Sequence, residues 1–534
     1  MPKRNLYLLS LLSGIILALG WPHYGFPVLL FVGFVPLLLV EHEVYSNSSQ
    51  YKHLRLFGFS YVAFFTWNIL TTWWIYFASP GGAAMAIICN AMLMSFVFIL
   101  FHIVKKKVGE KLGKIVFISF WLTFEYIHMH WDISWPWLTL GNGFSNYYKW
   151  VQWYEYTGVF GGSLWILVVN VVIFELLKKR MYEGGSIPKS KLTTIIILIL
   201  LPIVLSYILY GSYNEKKNLV NVVVVQPNID PYNEKFSGTY QEQLRKMLEL
   251  ATTELDSTVD YLIFPETALT ESIWEDKISH TYSINTLCQF LKNYPKLKIV
   301  IGASTYKIYE IGRQIPVTAR KFKDDEAYYD AFNTALQIDP TDSIQIYHKS
   351  KLVPGVEKMP FPKLLEPLEK LAIDLGGTTG SLGVQDERTV FVSPDKLMGI
   401  APVICYESIY GEYVGEYIKN GAQLIFIITN DGWWDDSPGY KQHLSYASLR
   451  AIETRRSITR SANTGISCFI DQRGDASQLT KWWEPAVIKS SINANADQTF
   501  YVEYGDYIAR AAAMISVLII LYYMLVRFNV IKKY

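Results

Sequence analysis

Cysteine is scarce in this sequence, and no metal-binding spacing is present. The four cysteines are Cys89, Cys288, Cys405 and Cys468, and none forms a CxxC pair or a zinc-like spacing with histidine. So few scattered thiols exclude a disulfide framework, although a single Cys405–Cys468 bridge remains the alternative to free cysteines. The nine histidines include no HExxH pattern. The sequence therefore predicts neither a metal ion nor a cofactor.

Charge is also sparse. Only 18% of the residues are charged and the net charge is +2, which gives no electrostatic support for a nucleic-acid partner. Hydrophobic residues make up 51% of the chain, and a soluble protein of this length is usually more polar. No Asp, Glu, Lys or Arg occurs from Leu56 to Val104. These features indicate a protein whose partner is the lipid bilayer.

Eight apolar segments are candidates for membrane-spanning helices. A helix rises 1.5 Å per residue, so roughly 20 apolar residues cross the hydrocarbon core. The first segment has an alternative interpretation as a cleaved signal peptide, because Lys3-Arg4 precedes it and Ala18-Leu19-Gly20 follows. The predicted segments are 5–22, 26–41, 57–77, 83–104, 113–129, 160–177, 192–212 and 507–526.

Basic residues flank alternate loops and predict the orientation. The positive-inside rule places both termini and the even-numbered loops in the cytoplasm. The block 213–506 follows seven crossings and is therefore predicted outside, which is the periplasm if the membrane is a bacterial inner membrane. The predicted domains are 1–212 with seven helices, 213–506 as the outside domain, and 507–534 as the last helix and tail. The basic clusters lie at 3–4, 52–55, 105–114, 178–191 and 527–533.

The outside block changes to short β-branched runs. The run at 220–226 is too short for a span and is typical of a buried strand. Helical patterns at 239–255 and 443–456 lie between such runs, and this alternation predicts an α/β layered domain. The other predicted strands are 260–264, 297–302, 332–339, 398–405, 424–429 and 467–471.

Three residues with complementary chemistry follow predicted strands in this block. Glu266 follows the strand that ends at Phe264, Lys349 follows Ile344–Tyr347, and Cys405 ends a strand. Strand ends at one sheet edge are where α/β folds place their sites. A carboxylate can deprotonate a thiol, and an ammonium can stabilise the oxyanion that forms when the thiolate attacks a carbonyl. The alternatives are an inert core cysteine, an ordinary helix start and a solvated lysine.

The segments around these residues resemble the Glu-Lys-Cys motifs of the nitrilase (carbon–nitrogen hydrolase) superfamily. They are Phe264–Ala268, His348–Pro354 and Val403–Glu407. The resemblance implies an αββα sandwich in which Glu266 is the general base, Lys349 the oxyanion stabiliser and Cys405 the nucleophile. Lys351 is the competing lysine, and the spacing to Glu357 favours Lys349.

The resemblance also implies supporting residues. Glu357 and Glu407 match two further carboxylates that orient the lysine and shape the pocket. Tyr406 follows the predicted nucleophile, where its N–H is expected to join the oxyanion hole or its ring to gate the substrate. The chain departs from the family at Pro354-Gly355-Val356-Glu357, where relatives commonly read Pro-Phe-Gly-Glu. It departs again at Phe236, where relatives often carry tryptophan in a lid. Trp137, in a tryptophan-rich loop, is predicted either to sit in an interfacial belt or to position substrate.

Two features of the outside block have two interpretations each. Arg455, Arg456 and Arg460 either hold a phosphate headgroup or form a solvated or salt-bridged helix face. The segment 356–382 is either an amphipathic flap on the bilayer or a packed helix.

The whole chain resembles the membrane-bound acyltransferase branch of the superfamily, through its spans and the segments 135–141 and 152–161. The resemblance implies transfer of an acyl chain from a phospholipid, phosphatidylethanolamine, to Cys405. The acyl chain then passes to the α-amino group of an S-diacylglyceryl cysteine at the N-terminus of an apolipoprotein. The alternatives are a membrane-tethered amidase and a non-catalytic scaffold that binds lipoproteins.

Overall fold

The computed structural model describes residues 3–46, 52–182, 184, 186, 188–235, 238–310, 315–323, 326–359, 381–395 and 397–528. The chain divides into two compact units, one made of 1–76, 80–212 and 504–534 and the other of 77–79 and 213–503. Phe236 and most of the segment 356–382 lie outside the described residues.

The first unit is helical. Its described helices include seven that precede the second unit and a C-terminal one at Tyr507–Arg527. A short helix at Ile75–Ala78 and 3-10 turns at Pro136–Leu138 and Leu140–Trp150 connect some of them. The seven are α1 (Lys3–Leu19), α2 (Pro27–Ser46, interrupted at Phe34), α3 (Lys52–Thr72), α4 (Pro80–Val108), α5 (Glu110–His128), α6 (Tyr154–Tyr182) and α7 (Lys189–Ser212).

Five helices in the described part of the chain are long and apolar enough to cross a membrane, namely α2, α4, α6, α7 and the C-terminal helix. The other three predicted segments are helical but are not among these five. Helix α1 has 17 residues, and α5 carries several charged side chains, including the buried Glu125. The apolar helical character is therefore confirmed, and the predicted count of eight spans is not.

The second unit contains two sheets among its described residues. The first has eight strands in the order β14-β1-β2-β4-β6-β5, with β3 beside β4 and β7 beside β6. The second has six strands in the order β13-β12-β11-β10-β9-β8. The strands are β1 (Leu219–Gln226), β2 (Tyr261–Ile263), β3 (Leu269–Trp274), β4 (Lys298–Tyr309), β5 (Arg320–Lys321), β6 (Tyr328–Ile338), β7 (Ile344–His348), β8 (Phe391–Val392), β9 (Gly399–Ile404), β10 (Leu424–Thr429), β11 (Ile458–Ala462), β12 (Cys468–Ile470), β13 (Ala476–Ser477) and β14 (Ala486–Asn493).

Helices cover the outer faces of the two sheets. Helices α8 (Tyr240–Thr252) and α9 (Tyr282–Leu291) pack on the first sheet, and α10 (Gly411–Lys419) and α11 (Pro438–Thr454) pack on the second. A short α12 (Phe500–Tyr504) follows. Between the sheets, the ring of Tyr261 meets that of Phe426 at 5.3 Å. The layering is α/β/β/α, as the sequence resemblance implies.

The alternation of side chains along β1 explains this layering. Successive strand residues point to opposite faces, so a strand buried on both faces has no polar side. Val223 and Val225 pack with Leu244 and Met247 of α8 in one apolar cluster. Every residue from Val222 to Gln226 is buried. The valines of β1 are therefore buried on both faces of the strand.

The predicted strands in the buried runs are confirmed, whereas six described strands were not predicted, namely β3, β5, β8, β11, β13 and β14. Strand β14 pairs antiparallel with the whole of β1 and forms the edge of the first sheet. Its residues Lys489, Ser490 and Ser491 are polar, and most of the strand is only half-buried. A half-solvated edge strand lacks the continuous apolar run that marks a central strand.

Gly302 in β4 allows the loop after β2 to approach closely. A Cβ on this residue would lie 2.4 Å from the backbone nitrogen of Thr267 and 2.6 Å from the Cα of Glu266. Its own N–H donates to the carbonyl of Pro265 at 3.1 Å. Because the obstructing atoms are backbone, a side chain here must displace the segment that carries Glu266.

We expect Gly302→Ala to lower the free energy of unfolding by about 2 kcal/mol, the cost of overpacking a tight interior. The matched control is Gly415→Ala in α10, where the nearest atom to a new Cβ is the Cα of Val502 at 4.0 Å. That substitution should be neutral or stabilise by up to about 1 kcal/mol, because alanine favours a helix. Thermal unfolding of both variants measures the difference, and equal stabilities would contradict the close approach.

Candidate active site

Three polypeptide segments bring the predicted catalytic side chains together beyond the ends of β2, β7 and β9. The ammonium of Lys349 lies 3.0 Å from Oε1 of Glu266 and 2.7 Å from Oε1 of Glu357. Both Lys349 and Glu266 are buried, and Cys405 is 8% exposed. The Cys405 thiol is close enough to Glu266 and Lys349 for their charges to shift its pKa. The structure thus brings Glu266 and Lys349 into contact, with the Cys405 thiol near both.

Glu266 is held as a carboxylate by three donors. Besides Lys349, the amide of Asn333 donates to Oε1 at 2.8 Å and the backbone N–H of Asn430 donates to Oε2 at 3.0 Å. Burial by itself would raise the pKa of Glu266, but the attraction of Lys349 and the hydrogen bonds outweigh it, and the pKa is lowered. Glu266 is therefore ionised in the resting site.

Lys349 is the cation that belongs to this site. Burial alone would lower its pKa, but Glu266 and Glu357 together raise the pKa well above its ordinary value. The competing Lys351 lies elsewhere, with its ammonium 4.8 Å from the ring centre of Tyr410. The geometry favours Lys349 over Lys351 as the partner of Glu266.

Cys405 occupies a strained position at the end of β9. Its φ angle is +50°, in the left-handed region that residues with a Cβ seldom adopt. A 3-10 turn begins at this residue and runs to Ile409. Burial and the nearby Glu266 carboxylate raise the pKa of the thiol well above its ordinary value, although Lys349 opposes them. Cys405 is therefore a protonated thiol in the neighbourhood of an ionised carboxylate.

Glu407 joins the Cys405 turn to the loop that follows Lys349. Its Oε2 accepts the N–H of Ile404 at 2.9 Å, and its Oε1 accepts the N–H of Ser350 at 2.7 Å. The hydroxyls of Tyr347 and Tyr413 donate to the same Oε1 at 2.7 and 2.6 Å. The side chain is fully buried. Glu407 therefore aligns two catalytic segments through hydrogen bonds and does not reach the ammonium of Lys349 by any described bond.

Glu357 keeps its place although its loop departs from the family pattern. Its Oε2 accepts the N–H of Val353 at 2.8 Å, and its own N–H donates to the Val353 carbonyl at 2.9 Å. Gly355 has a φ angle of +80°, which a glycine adopts without strain. The turn Pro354-Gly355-Val356 therefore still delivers a carboxylate to Lys349.

The remaining predicted residues are placed as follows. Tyr406 is buried, with its ring 5.4 Å from that of Tyr410. Trp137 belongs to the helical unit, where it is 1% exposed and its ring lies 4.8 Å from that of Trp74. Trp137 is therefore packed inside the helical unit and does not lie on its surface. Phe236 lies outside the described residues.

Several residues of the site were not found by sequence reasoning. Asn333 bridges the two carboxylates, since its amide also donates to Oε1 of Glu357 at 3.1 Å. It lies inside β6 and carries no motif that distinguishes it from a structural asparagine. Tyr347 and Tyr413 were missed for the same reason. Only their hydrogen bonds to Glu407 reveal them.

The three arginines of the outside block form neither a solvated face nor a headgroup cluster. All three are at most 3% exposed. Arg455 donates to the carbonyl of Gln472 at 3.0 Å, and Arg456 donates to that of Ala422 at 3.0 Å. Arg460 pairs with the buried Asp431. The solvated alternative is wrong because these guanidinium groups bond to internal acceptors, whereas the salt-bridged alternative holds for Arg460 through its pair with Asp431.

One described cluster has the composition of a metal site. Donor atoms of Cys405, Asp431 and His443 lie within 4.8 Å of one another. Asp431 is already bonded to Arg460 and to Nδ1 of His443, and Nε2 of His443 is close to Ser408 and the Cys405 carbonyl. A guanidinium on the carboxylate opposes a second cation, so these residues fit an internal hydrogen-bond network better than a metal.

Two family models match the chain. One, described as the apolipoprotein N-acyltransferase N-terminal domain, matches residues 13–172, and the other, described as carbon-nitrogen hydrolase, matches residues 221–500. An apolipoprotein N-acyltransferase from Chlorobaculum tepidum is 28% identical over 94% of this chain and 93% of its own length. One from Geobacter metallireducens is 29% identical over 96% of this chain and 93% of its own length. Among solved structures, an amidase from Nesterenkonia is 14% identical, with a TM-score of 0.36, over 56% of this chain and 99% of its own.

We expect Glu407→Leu to lower the free energy of unfolding by about 3 kcal/mol or more, because each buried donor left unsatisfied costs about 1–3 kcal/mol. The control is Glu249→Gln, which removes an exposed carboxylate 3.8 Å from the exposed Arg245. An exposed pair of this kind contributes about 1 kcal/mol at most. Thermal unfolding in detergent compares the variants. A loss of stability no larger for Glu407→Leu than for the control would refute the role of Glu407 in joining these two segments.

Proposed function

Because the chain belongs to the carbon–nitrogen hydrolase family, whose model matches more than half of its residues, we propose that it transfers a fatty-acyl group to lipoproteins. The activity is that of an apolipoprotein N-acyltransferase, in agreement with the family match at 13–172 and with the names of the full-length relatives. The observation that carries the mechanism is the buried Glu266–Lys349 pair beside the Cys405 thiol.

The first half-reaction loads Cys405. Glu266 accepts the thiol proton as Sγ attacks the ester carbonyl of a phospholipid, for which we propose phosphatidylethanolamine. Lys349 stabilises the oxyanion, with the N–H of Tyr406 as a second proposed donor. The carbon–oxygen ester bond then breaks, and the leaving alkoxide takes the proton back from Glu266. The products are a lysophospholipid and a thioester on Cys405.

The second half-reaction unloads the thioester. The α-amino group of an S-diacylglyceryl cysteine attacks the thioester carbonyl, again beside Lys349. Glu266 takes a proton from the amine, the carbon–sulfur bond breaks, and the thiolate of Cys405 is reprotonated. The product is an N-acylated lipoprotein, and the enzyme returns to its resting state.

The helical unit explains why both substrates reach one site. Its apolar helices are suited to a bilayer, in which the donor and the acceptor are both anchored, so encounter occurs in two dimensions. We propose eight spans, an inner-membrane location and a periplasmic catalytic domain at 213–506, from the alternating basic clusters. Trp137 and Phe236 remain proposed substrate contacts.

Two other functions account for fewer of the observations. An amidase for small molecules shares the Glu-Lys-Cys chemistry but does not explain the match of residues 13–172. A non-catalytic scaffold does not explain why an ionised carboxylate and an ammonium are buried beside a thiol, an arrangement with a large desolvation cost.

The purified protein in mixed micelles with phospholipid labelled in its acyl chain should acquire label through a bond that neutral hydroxylamine cleaves. Cys405→Ala removes the only atom that can hold a thioester in this mechanism, so the variant should stay unlabelled. Addition of a diacylglyceryl-cysteine peptide should move the label to the peptide as a hydroxylamine-resistant amide.

Transfer of the label to a small free amine, or its release into water as a free fatty acid, with none on the peptide, would favour the amidase. Absence of label on the wild-type protein, or its persistence in Cys405→Ala, would refute the proposed mechanism. Cys468→Ala is the matched control, because it removes another buried thiol of the same domain.

We expect Asn333→Leu to shift the acid limb of the pH–rate profile to higher pH. The Asn333 hydrogen bond helps to lower the pKa of Glu266, so its removal lets burial raise that pKa. Glu266 then becomes protonated at a higher pH than in wild type, and a protonated Glu266 cannot accept the thiol proton. The rate of thioester formation, measured across pH, reports the shift. The same limb in Asn333→Leu and wild type would refute this role for Asn333. Gln337→Leu on the same strand is the control. The amide of Gln337 donates to the carbonyl of Val392 at 3.1 Å and makes no described bond to Glu266, so this substitution should leave the limb in place.

A further inference from the structure

A buried network lies behind Cys405, on the main-chain side of the nucleophile. The carbonyl oxygen of Cys405 accepts the hydroxyl of Ser408 at 2.7 Å, and Nε2 of His443 lies 3.1 Å from the same oxygen. Nε2 is also 2.9 Å from the Ser408 hydroxyl oxygen. Because a carbonyl oxygen can only accept, the imidazole contributes an N–H at Nε2. The carbonyl is thus held by two side chains.

His443 is itself fixed from its other side. Its Nδ1 lies 3.0 Å from Oδ1 of Asp431, and the second oxygen of Asp431 is paired with Arg460. Thr429 donates to Oδ1 of Asp431 at 2.7 Å. All four side chains are at most 1% exposed. The pairing with Arg460 and His443 outweighs burial and lowers the pKa of Asp431, so the carboxylate stays ionised. The ring of His443 is consequently locked in one orientation.

The left-handed backbone at Cys405 needs such a restraint. A residue with a Cβ pays about 1–3 kcal/mol to remain in this region, and it stays there only when its surroundings enforce it. Relaxation toward negative φ would change the position of the Cys405 side chain relative to Glu266 and Lys349. The proposed acyl transfer does not use His443, Asp431 or Arg460 as base, oxyanion donor or nucleophile.

We propose that His443, oriented by Asp431 and Arg460, is a positioning residue that holds the Cys405 carbonyl and thereby keeps the nucleophile in its left-handed, reactive conformation. The inference rests on the proposed function, because it takes Cys405 as the acyl carrier. It makes and breaks no covalent bond.

The test exploits the two nitrogens of the ring. In His443→Gln, the side-chain amide nitrogen can take the place of Nε2 and keep a donor to the Cys405 carbonyl. In His443→Asn, the shorter amide can take only the place of Nδ1 and keep the contact with Asp431. Lys441→Gln is the control, because it changes a half-exposed residue of the same helix whose described ion pair is with Asp436.

Single-turnover labelling of the full-length protein gives the rate of thioester formation at a series of donor concentrations. We expect His443→Asn to lower the maximal rate by about 10-fold or more, from the free energy that holds the strained backbone. The half-saturating donor concentration should not change, because donor binding is untouched. His443→Gln should recover most of the rate, and Lys441→Gln should match wild type.

Equal losses in His443→Gln and His443→Asn, in step with a lower melting temperature, would overturn the inference in favour of a purely structural role. Wild-type rates in both would also overturn it. If both variants fail to fold, Ser408→Ala and Ser408→Thr replace them. Threonine keeps the hydroxyl donor and should keep the rate, whereas alanine should lose about threefold or more, a part of the same conformational free energy. Equal rates for these two would refute the inference.

The outcome separates this inference from the proposed function. If wild-type protein acquires no hydroxylamine-sensitive label, the acyl-carrier role of Cys405 fails and the function is wrong. If wild type is labelled and Cys405→Ala is not, but the His443 and Ser408 pairs show no difference, the function stands and only the positioning role is wrong.

Discussion

The buried ion pair between Lys349 and Glu266 is the interaction on which the catalytic unit depends. Removing two charges from water is costly, and their attraction compensates only when the remaining lone pairs and protons are also bonded. Here Glu357 takes a second contact with the ammonium, Asn333 joins both carboxylates, and the N–H of Asn430 binds the far oxygen of Glu266. These partners come from both sheets, so the sandwich must close correctly before the charges are satisfied.

The same electrostatics decide the resting state of the nucleophile. A buried thiol beside a carboxylate stays protonated, while the carboxylate beside an ammonium stays ionised. The protein therefore holds a protonated thiol near an ionised carboxylate, and in the proposed mechanism this carboxylate accepts the proton as the thiol attacks a carbonyl. This arrangement suits an enzyme that has to wait for two lipid-anchored substrates. It also limits side reactions of the thiol between turnovers.

Two clamps keep the Cys405 turn in register with the rest of the site. Glu407 ties the N–H of Ile404 to that of Ser350, beside Lys349. On the other side of the turn, His443 and Ser408 hold the carbonyl of Cys405. A single residue at φ +50° is thus restrained before and after its own Cα. Strain at a nucleophile persists only when neighbouring bonds over-determine it, and the fold supplies those bonds from β7, β10 and α11.

The local sequence determined much of this protein. The β-branched runs identified most of the central strands, though not β11, in which Thr459, Arg460 and Ser461 replace a continuous apolar run. The uncharged stretches identified the apolar helices. The residues after three strands identified Glu266, Lys349 and Cys405, because strand ends, motif and chemistry are all local properties of the chain. The edge strand β14 was not predicted, because several of its residues are polar and only its pairing with β1 makes it a strand. The tertiary structure agrees with the choice of Lys349 over Lys351 that the spacing to Glu357 favoured, and only the tertiary structure revealed Asn333, Tyr413 and His443. Their roles depend on hydrogen bonds to residues far away in the chain, and no spacing in the sequence records which distant groups burial brings within 3 Å.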